Sequence, residues 1–302
     1  MQPRAPRALR WLSRRPAASA WALLAPGLGW LAVFFLAPIA IMLAYSFMPR
    51  GIYGGVEIGL TFEHYARFAD PLYLAVLVRT LAWSLATTVL CLAIGYPVAY
   101  AIARATRFRS LLLLLVVLPF WTSMLVRTFA MIFLLRDSGL INTALLASGL
   151  IDMPLEMLYT PFAVITGLVY SFLPFIVLPI YASIEKIDPS LLEAAEVLGA
   201  TPRARLVSVT LPLSMPGVIA GSLLVFVPAL GSFLTSDLLG GAKQVMIGNL
   251  VQSQFSAARN WPFGSAVSFV VMSLVLVAVL VYLRVRDAPA PAAVATPARL
   301  GP

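Results

Sequence analysis

The stretch Glu193-Ala-Ala-Glu-Val-Leu-Gly-Ala-Thr-Pro-Arg-Ala-Arg-Leu-Val-Ser-Val-Thr-Leu-Pro212 is polar and helix-prone, yet it lies between two apolar runs of membrane length. A chain that only crosses lipid has no use for such an insert. A chain that must dock a soluble partner on one side of a membrane does. Asp188-Pro189 and Thr201-Pro202 bracket the stretch. Each couples an N-cap residue to a proline at the first helical position, where the missing N–H had no partner anyway. The spacing predicts two short helices, about 189–198 and 202–210, hinged at Gly199, because glycine suits the left-handed turn at a helix end. Ten residues rise only about 15 Å, too little to cross lipid. Leu191, Ala195 and Leu198 share one face, so the first helix reads as amphipathic. Small Ala194 and Ala195 permit close approach, and Glu193 and Glu196 charge the rim. From these residues alone the pair is either a lever for a partner or a helix lying at the lipid surface. A DNA-reading helix-turn-helix tethered between two spans is disfavoured.

Composition agrees with a membrane setting. Of 302 residues, 61% are hydrophobic and 11% charged, against about 25% charged in soluble domains. Six runs reach the roughly 20 residues a bilayer requires: near 23–47, 77–102, 111–135, 161–183, 213–239 and 264–284. The expected organisation is all-α: a basic arm over 1–22, a six-helix transmembrane domain over 23–284 with its polar loop at 188–212, and a disordered Ala/Pro-rich tail over 285–302. The first run is longer than the apolar core of a cleaved signal peptide and reads as a retained span. Asp70-Pro71 and Thr160-Pro161 repeat the cap-proline pattern and should start the second and fourth spans. Pro97, Pro119, Pro174, Pro179, Pro216 and Pro228 are candidate helix breaks.

The net charge of +9 is nearly all arginine. Basic residues gather in the arm and at segment ends, which suits lipid head groups rather than nucleic acid. With the N-terminus inside, 14 of the 21 Lys and Arg face the cytoplasm. The bias predicts both termini in the cytoplasm.

Catalytic and energy-converting motifs are missing from the sequence. A P-loop places Lys before Ser or Thr, but Lys186 precedes Ile187 and Lys243 precedes Gln244. The lone histidine, His64, reads as part of a polar outer loop, and no zinc-binding pair accompanies it. Neither an enzyme nor a metal site is expected. Cys91, the lone cysteine, reads as a small core side chain. Polar groups inside spans are functional candidates by default. Asp237 could attract a cation, Arg127 could pair with a carboxylate or snorkel outward, and Ser232 and Thr235 could donate into a pore. Trp121, Tyr170 and Phe226 could line a path for ammonium groups.

Glu193, Ala194, Ala195, Gly199, Leu211 and Pro212 match the EAA loop of ABC-transporter permeases, and the chain resembles that family. Further pieces resemble its spermidine/putrescine-type branch: Asp70-Pro-Leu-Tyr73, Gly95-Tyr-Pro-Val-Ala-Tyr100, Leu118-Pro-Phe-Trp-Thr122, Gly139-Leu-Ile-Asn142, Leu238-Leu-Gly-Gly241 and Asn260-Trp-Pro262. The resemblance covers about 60–275. It implies a type I ABC importer permease (MetI-like) core in a bacterial inner membrane, moving polyamines inward by alternating access. It also implies a coupling site at Glu193, Ala194, Ala195, Glu196, Gly199, Arg203, Leu211 and Pro212. The implied partners are an ABC ATPase dimer that holds ATP and Mg, a second homologous permease and an extracytoplasmic solute-binding protein. Many branch members carry glutamate after the glycine of the fifth span; here Gly231 is followed by Ser232. Another small solute (amino-acid-like, an opine, a metal-bound anion) and a stand-alone secondary transporter remain the alternatives.

Overall fold

The computed structural model describes residues 16–105 and 107–286; most of the arm expected over 1–22 and of the tail expected over 285–302 lies outside the described residues. Among the described residues every regular element is helical. Six helical segments are long and apolar enough to cross a bilayer: Leu23–Ser46, Pro71–Arg104, Met124–Ala147, Pro161–Glu185, Pro202–Gly231 and Trp261–Leu280. The described residues divide into two compact units, one up to Phe68 and from Gln254 onward, the other Ala69–Ser253.

In the first unit, α1 (Pro16–Leu31) passes through a π-helical turn, Ala32–Leu36, into α2 (Ala37–Ser46). A loop leads to the short α3 (Glu63–Phe68), and the long C-terminal helix of this unit, Trp261–Arg286, packs on α2 and α3. His64 is buried rather than set in a polar loop. Its Nε2–H donates to the Met48 carbonyl at 3.0 Å, and its ring lies 6.3 Å from that of buried Phe263. It is a satisfied core histidine.

The second unit starts with α4 (Pro71–Arg104). Its 34 residues rise about 51 Å, well beyond the roughly 30 Å hydrocarbon layer, so α4 is longer than one perpendicular crossing needs. Next come α5 (Arg109–Val117), a 3-10 turn (Leu118–Trp121), α6 (Met124–Leu135) and α7 (Leu140–Ala147). Helix α8 spans Pro161–Glu185, α9 Pro189–Val197 and α10 Pro202–Arg205. A π turn, Leu206–Thr210, joins α10 to α11 (Leu211–Gly231). Helices α12 (Leu234–Gly240) and α13 (Ile247–Phe255) follow, and α14 is Trp261–Arg286 of the first unit.

Helices α4, α8 and α11 form the centre of the second unit. Cys91, Ala99 and Ile102 meet Ile176, Val177 and Ile180 of α8 and Val225 of α11 in one buried cluster. Small residues let these backbones approach, the usual basis of helix packing in lipid. A Cβ on Gly217 would lie 2.5 Å from the Pro179 carbonyl and from Ser183 Oγ.

Two expectations are corrected. The third span does not run through 111–135. The chain breaks at Leu118–Ser123, and the crossing segment becomes 124–147. Pro119 has no N–H for the preceding turn, Thr122 is extended (φ −92°, ψ 146°), and Thr122 Oγ1 donates to the Pro119 carbonyl at 2.7 Å. The other five prolines singled out as breaks stay inside continuous helices. The second short helix of the polar loop is also not separate. It runs through the π turn into the fifth span, which ends at Gly231 instead of continuing to 239. Pro212 lacks the N–H that would pair with the Ser208 carbonyl, and the widened turn sits at that carbonyl.

Candidate functional site

The polar loop is built by local rules. The four expected caps all form: the Asp70 side chain accepts from the Leu72 N–H, Thr160 from Ala163, Asp188 from Ser190 and Thr201 from Ala204. The bond from Ser190 holds the Asp188 carboxyl below the usual carboxylate range. Helix α9 ends where expected, and Gly199 takes φ +80° with open space where a Cβ would point. The Gly199 N–H donates to the Glu196 carbonyl and the Ala200 N–H to the Ala195 carbonyl, which closes the turn.

The faces of α9 differ from the expected pattern. Leu192 and Ala195 turn partly inward, whereas Leu191, Val197 and Leu198 are exposed. Val197 and Leu198 stand 88% and 87% exposed beside exposed Glu193, Ala194 and Glu196. Arg203 is exposed, and Leu211 and Pro212 lie at the start of α11. Arg205 reaches back across the Gly199 turn to Glu196 at 2.5 Å.

The six residues expected along a substrate path do not converge. Trp121 is 79% exposed at the end of the 3-10 turn. Tyr170 lines an apolar cavity of about 370 Å³ among α4, α5 and α8, with Ala101, Leu112, Val116 and Pro174. Phe226 lines a separate apolar groove against Val78, Leu81 and Leu85 of α4. Ser232 and Thr235 both lie at the break that ends the fifth span. Both are buried, and neither hydroxyl has a hydrogen-bond partner. Asp237, one turn on, is exposed. The start of α13 closes over this break. The Ile247 N–H donates to Thr80 Oγ1 at 2.9 Å, and Asn249 Nδ2 donates to the Phe233 carbonyl at 2.9 Å. Arg127 stacks over Phe120 at 5.3 Å, and its Nε and Nη1 are buried without a partner.

Sequence reasoning missed a group at the root of the loop. Arg109, at the start of α5, donates from Nε to Tyr181 Oη at 2.5 Å and forms an ion pair with Glu185. Tyr181 and Glu185 are four apart at the end of α8, a spacing that puts them on one face. That spacing was the available signal. Among the described residues no cluster of His, Cys, Asp and Glu could hold a metal.

The family described as "Binding-protein-dependent transport system inner membrane component" matches residues 92–288. The spermidine/putrescine transport system permease protein PotB of Haemophilus influenzae is 46% identical over 256 residues, 84% of this chain and 90% of the relative. PotB of Escherichia coli K12 is 44% identical over 257 residues, 85% of this chain and 94% of the relative. A crystal structure of a bacterial alginate ABC transporter, in complex with alginate pentasaccharide-bound periplasmic protein, superposes with a TM-score of 0.72 at 20% identity, covering 93% of this chain and 98% of that one. At that identity the likeness speaks to the fold. The broken spans, the exposed capped loop and the extent of these matches lead to one conclusion: this chain belongs to the binding-protein-dependent inner membrane components and is a permease subunit of an ABC importer.

Proposed function

We propose that this permease carries spermidine- or putrescine-like polyamines inward. The observation that carries the reading is identity of 44–46% to the PotB relatives over more than four-fifths of the chain. In this reading the loop 188–212 faces the cytoplasm, as do both termini, in line with the arginine bias along the sequence. An ABC ATPase dimer grips the exposed part of the loop, Glu193 and Val197 one turn apart on α9, with Leu198 at its end and Arg203 beyond the Gly199 turn. ATP and Mg belong to that partner, since no P-loop occurs in the sequence. A second homologous permease completes the pathway, and an extracytoplasmic binding protein delivers the solute. ATP closure drives the loops together and opens the pair outward, and hydrolysis resets the inward state. Ser232 and Thr235 offer hydroxyl lone pairs to an ammonium group at the end of the fifth span, and Asp237 offers a charge near its mouth. Trp121, Tyr170 and Phe226 join the path only if the second permease brings their separate surfaces to one cavity.

One observation favours a second reading, a less cationic small solute: among the described buried polar residues there is no carboxylate. The test is reconstitution of the permease pair, ATPase and binding protein in proteoliposomes. ATP-dependent uptake of labelled spermidine or putrescine supports the reading. ATP hydrolysis stimulated by the binding protein without uptake of either amine overturns the substrate and leaves the second reading.

A further inference from the structure

Helix α5 is attached to α8 in an unusual way. At one end Arg109 holds Tyr181 and Glu185, with its guanidinium carbon 5.1 Å from the centre of the Tyr181 ring. At the other end Phe120, in the 3-10 turn that follows α5, meets Phe175 edge-to-face at 4.9 Å. Between these two attachments Leu112, Leu113 and Val116 of α5 pack against the buried cluster that α8 shares with α4, beside an open apolar cavity of about 370 Å³. Among the described residues, the polar side-chain contacts from α5 to α8 are those of Arg109.

The Arg109 end lies at the root of the polar loop. Arg109 and Glu185 share a second cavity, of about 210 Å³, with Pro189 and Leu192 of α9 and Thr210 of the π turn. Only Lys186 and Ile187 separate Glu185 from Asp188, the cap of α9. That link is stiff: the Ile187 N–H donates to the Ile184 carbonyl and the Leu191 N–H to the Asp188 carbonyl. A displacement of α9 therefore reaches the end of α8 with little slack.

We propose that Arg109 is a positioning residue that hands movement of the 188–212 loop to α5. The clasp on Tyr181 and Glu185 and the Phe120–Phe175 contact hold α5 to α8 at both ends, so α5 follows α8, and the broken third span, which begins just beyond Phe120, is carried with it. The proposal rests on the reading that this loop receives an ATPase, and it names a route by which the push enters the bundle. It is independent of which solute is carried.

The test uses the whole importer in proteoliposomes and compares uptake with ATP hydrolysed. Arg109→Ala is expected to lower uptake per ATP by about fivefold or more, the scale of a coupling between sites. Arg109→Lys, which keeps the charge but loses the forked geometry, recovers part of it. The paired exchange Arg109→Glu with Glu185→Arg recovers more than either single change. A residue that merely supported folding would reduce membrane yield and scale uptake and hydrolysis together, leaving their ratio fixed. Arg109→Cys with Glu185→Cys supplies a check that does not depend on loss of function. Crosslinking that pair is expected to restore most of the uptake per ATP that the uncrosslinked pair has lost, because the covalent link replaces the closed clasp. An unchanged ratio in Arg109→Ala, or a crosslink that fails to raise uptake per ATP above that of the uncrosslinked pair, overturns the clasp while the wild-type assembly still works. A wild-type assembly in which no ATPase engages the permease overturns the underlying reading and the clasp with it.

Discussion

Glu196 and Arg205 are joined by an ion pair, 2.5 Å apart, that bridges the Gly199 turn and ties α9 to α10. The Glu196 side chain is largely exposed while that of Arg205 is mostly covered. Exposed pairs of this kind contribute about 0.2–1 kcal/mol. Glu196→Gln should therefore shift the thermal midpoint by only a few degrees. The larger effect is expected in function, because α9 loses its brace against the fifth span. A falling ratio of uptake to hydrolysis, at near-normal melting, is the outcome to look for; a large loss of stability would give the pair a different role.

Gly199 isolates the backbone contribution to the turn. Its φ of +80° disfavours any L side chain, while a Cβ there meets nothing within 4 Å. Gly199→Ala should cost about 1–2 kcal/mol from the left-handed conformation alone, and Gly199→Asn should cost less because Asn tolerates that region. Thermal unfolding in detergent would check the order. Equal melting for glycine and alanine would mean that the turn relaxes.

Gly217 is the opposite case, where space decides. Gly217→Val would press a branched side chain against the Pro179 carbonyl and Ser183, each 2.5 Å from an added Cβ. Overpacking typically costs about 1–3 kcal/mol, and backbone on the far side yields poorly. Accumulation in the membrane should fall sharply for Val and less for Ala. Normal accumulation of the valine variant would mean that α8 and α11 are not tightly apposed.

The contrast between these glycines explains what could be read in advance. The caps at Asp70, Thr160, Asp188 and Thr201 and the turn at Gly199 depend on a few neighbouring residues, so they were legible. The break at Pro119 was not, because five other prolines with the same local signature remain in continuous helices. Which proline interrupts a helix depends on what receives the freed carbonyl, and that is tertiary. The Arg109–Tyr181 contact joins positions 72 apart and left only a four-residue spacing as its trace. Trp121, Tyr170 and Phe226 were chosen for their chemistry alone, and the fold scatters them.

Asp188 gives the loop a defined response to acid. The Ser190 N–H, 2.9 Å from Asp188 Oδ1, favours the ionised carboxylate and lowers its pKa. A lowered folded-state pKa contributes stability that is complete above the unfolded value, about 3.9, and is lost as pH falls through the lower folded value. Asn at this position can still cap but carries no charge. The gap in melting temperature between wild type and Asp188→Asn should be constant from pH 7 to about 5 and should close below about pH 4. A gap that widened on acidification would contradict the charge-assisted cap.

Glu193 separates folding from docking most cleanly. It is exposed on α9, one turn before the exposed Val197 on the same face, and among the described residues it has no ion-pair partner. Unlike that of Glu196, its charge is in no ion pair among the described residues. Glu193→Lys should leave membrane accumulation and melting unchanged, since surface substitutions usually stay within about 0.5 kcal/mol. If the loop is the ATPase-docking element, the same change places a cation where the partner meets an anion, and a mismatched charge at a desolvated contact is strongly unfavourable. Co-purification of the ATPase with the permease should drop, and uptake should drop with it. Retained co-purification would move the docking surface off this face of α9, to the Arg203 side of the turn.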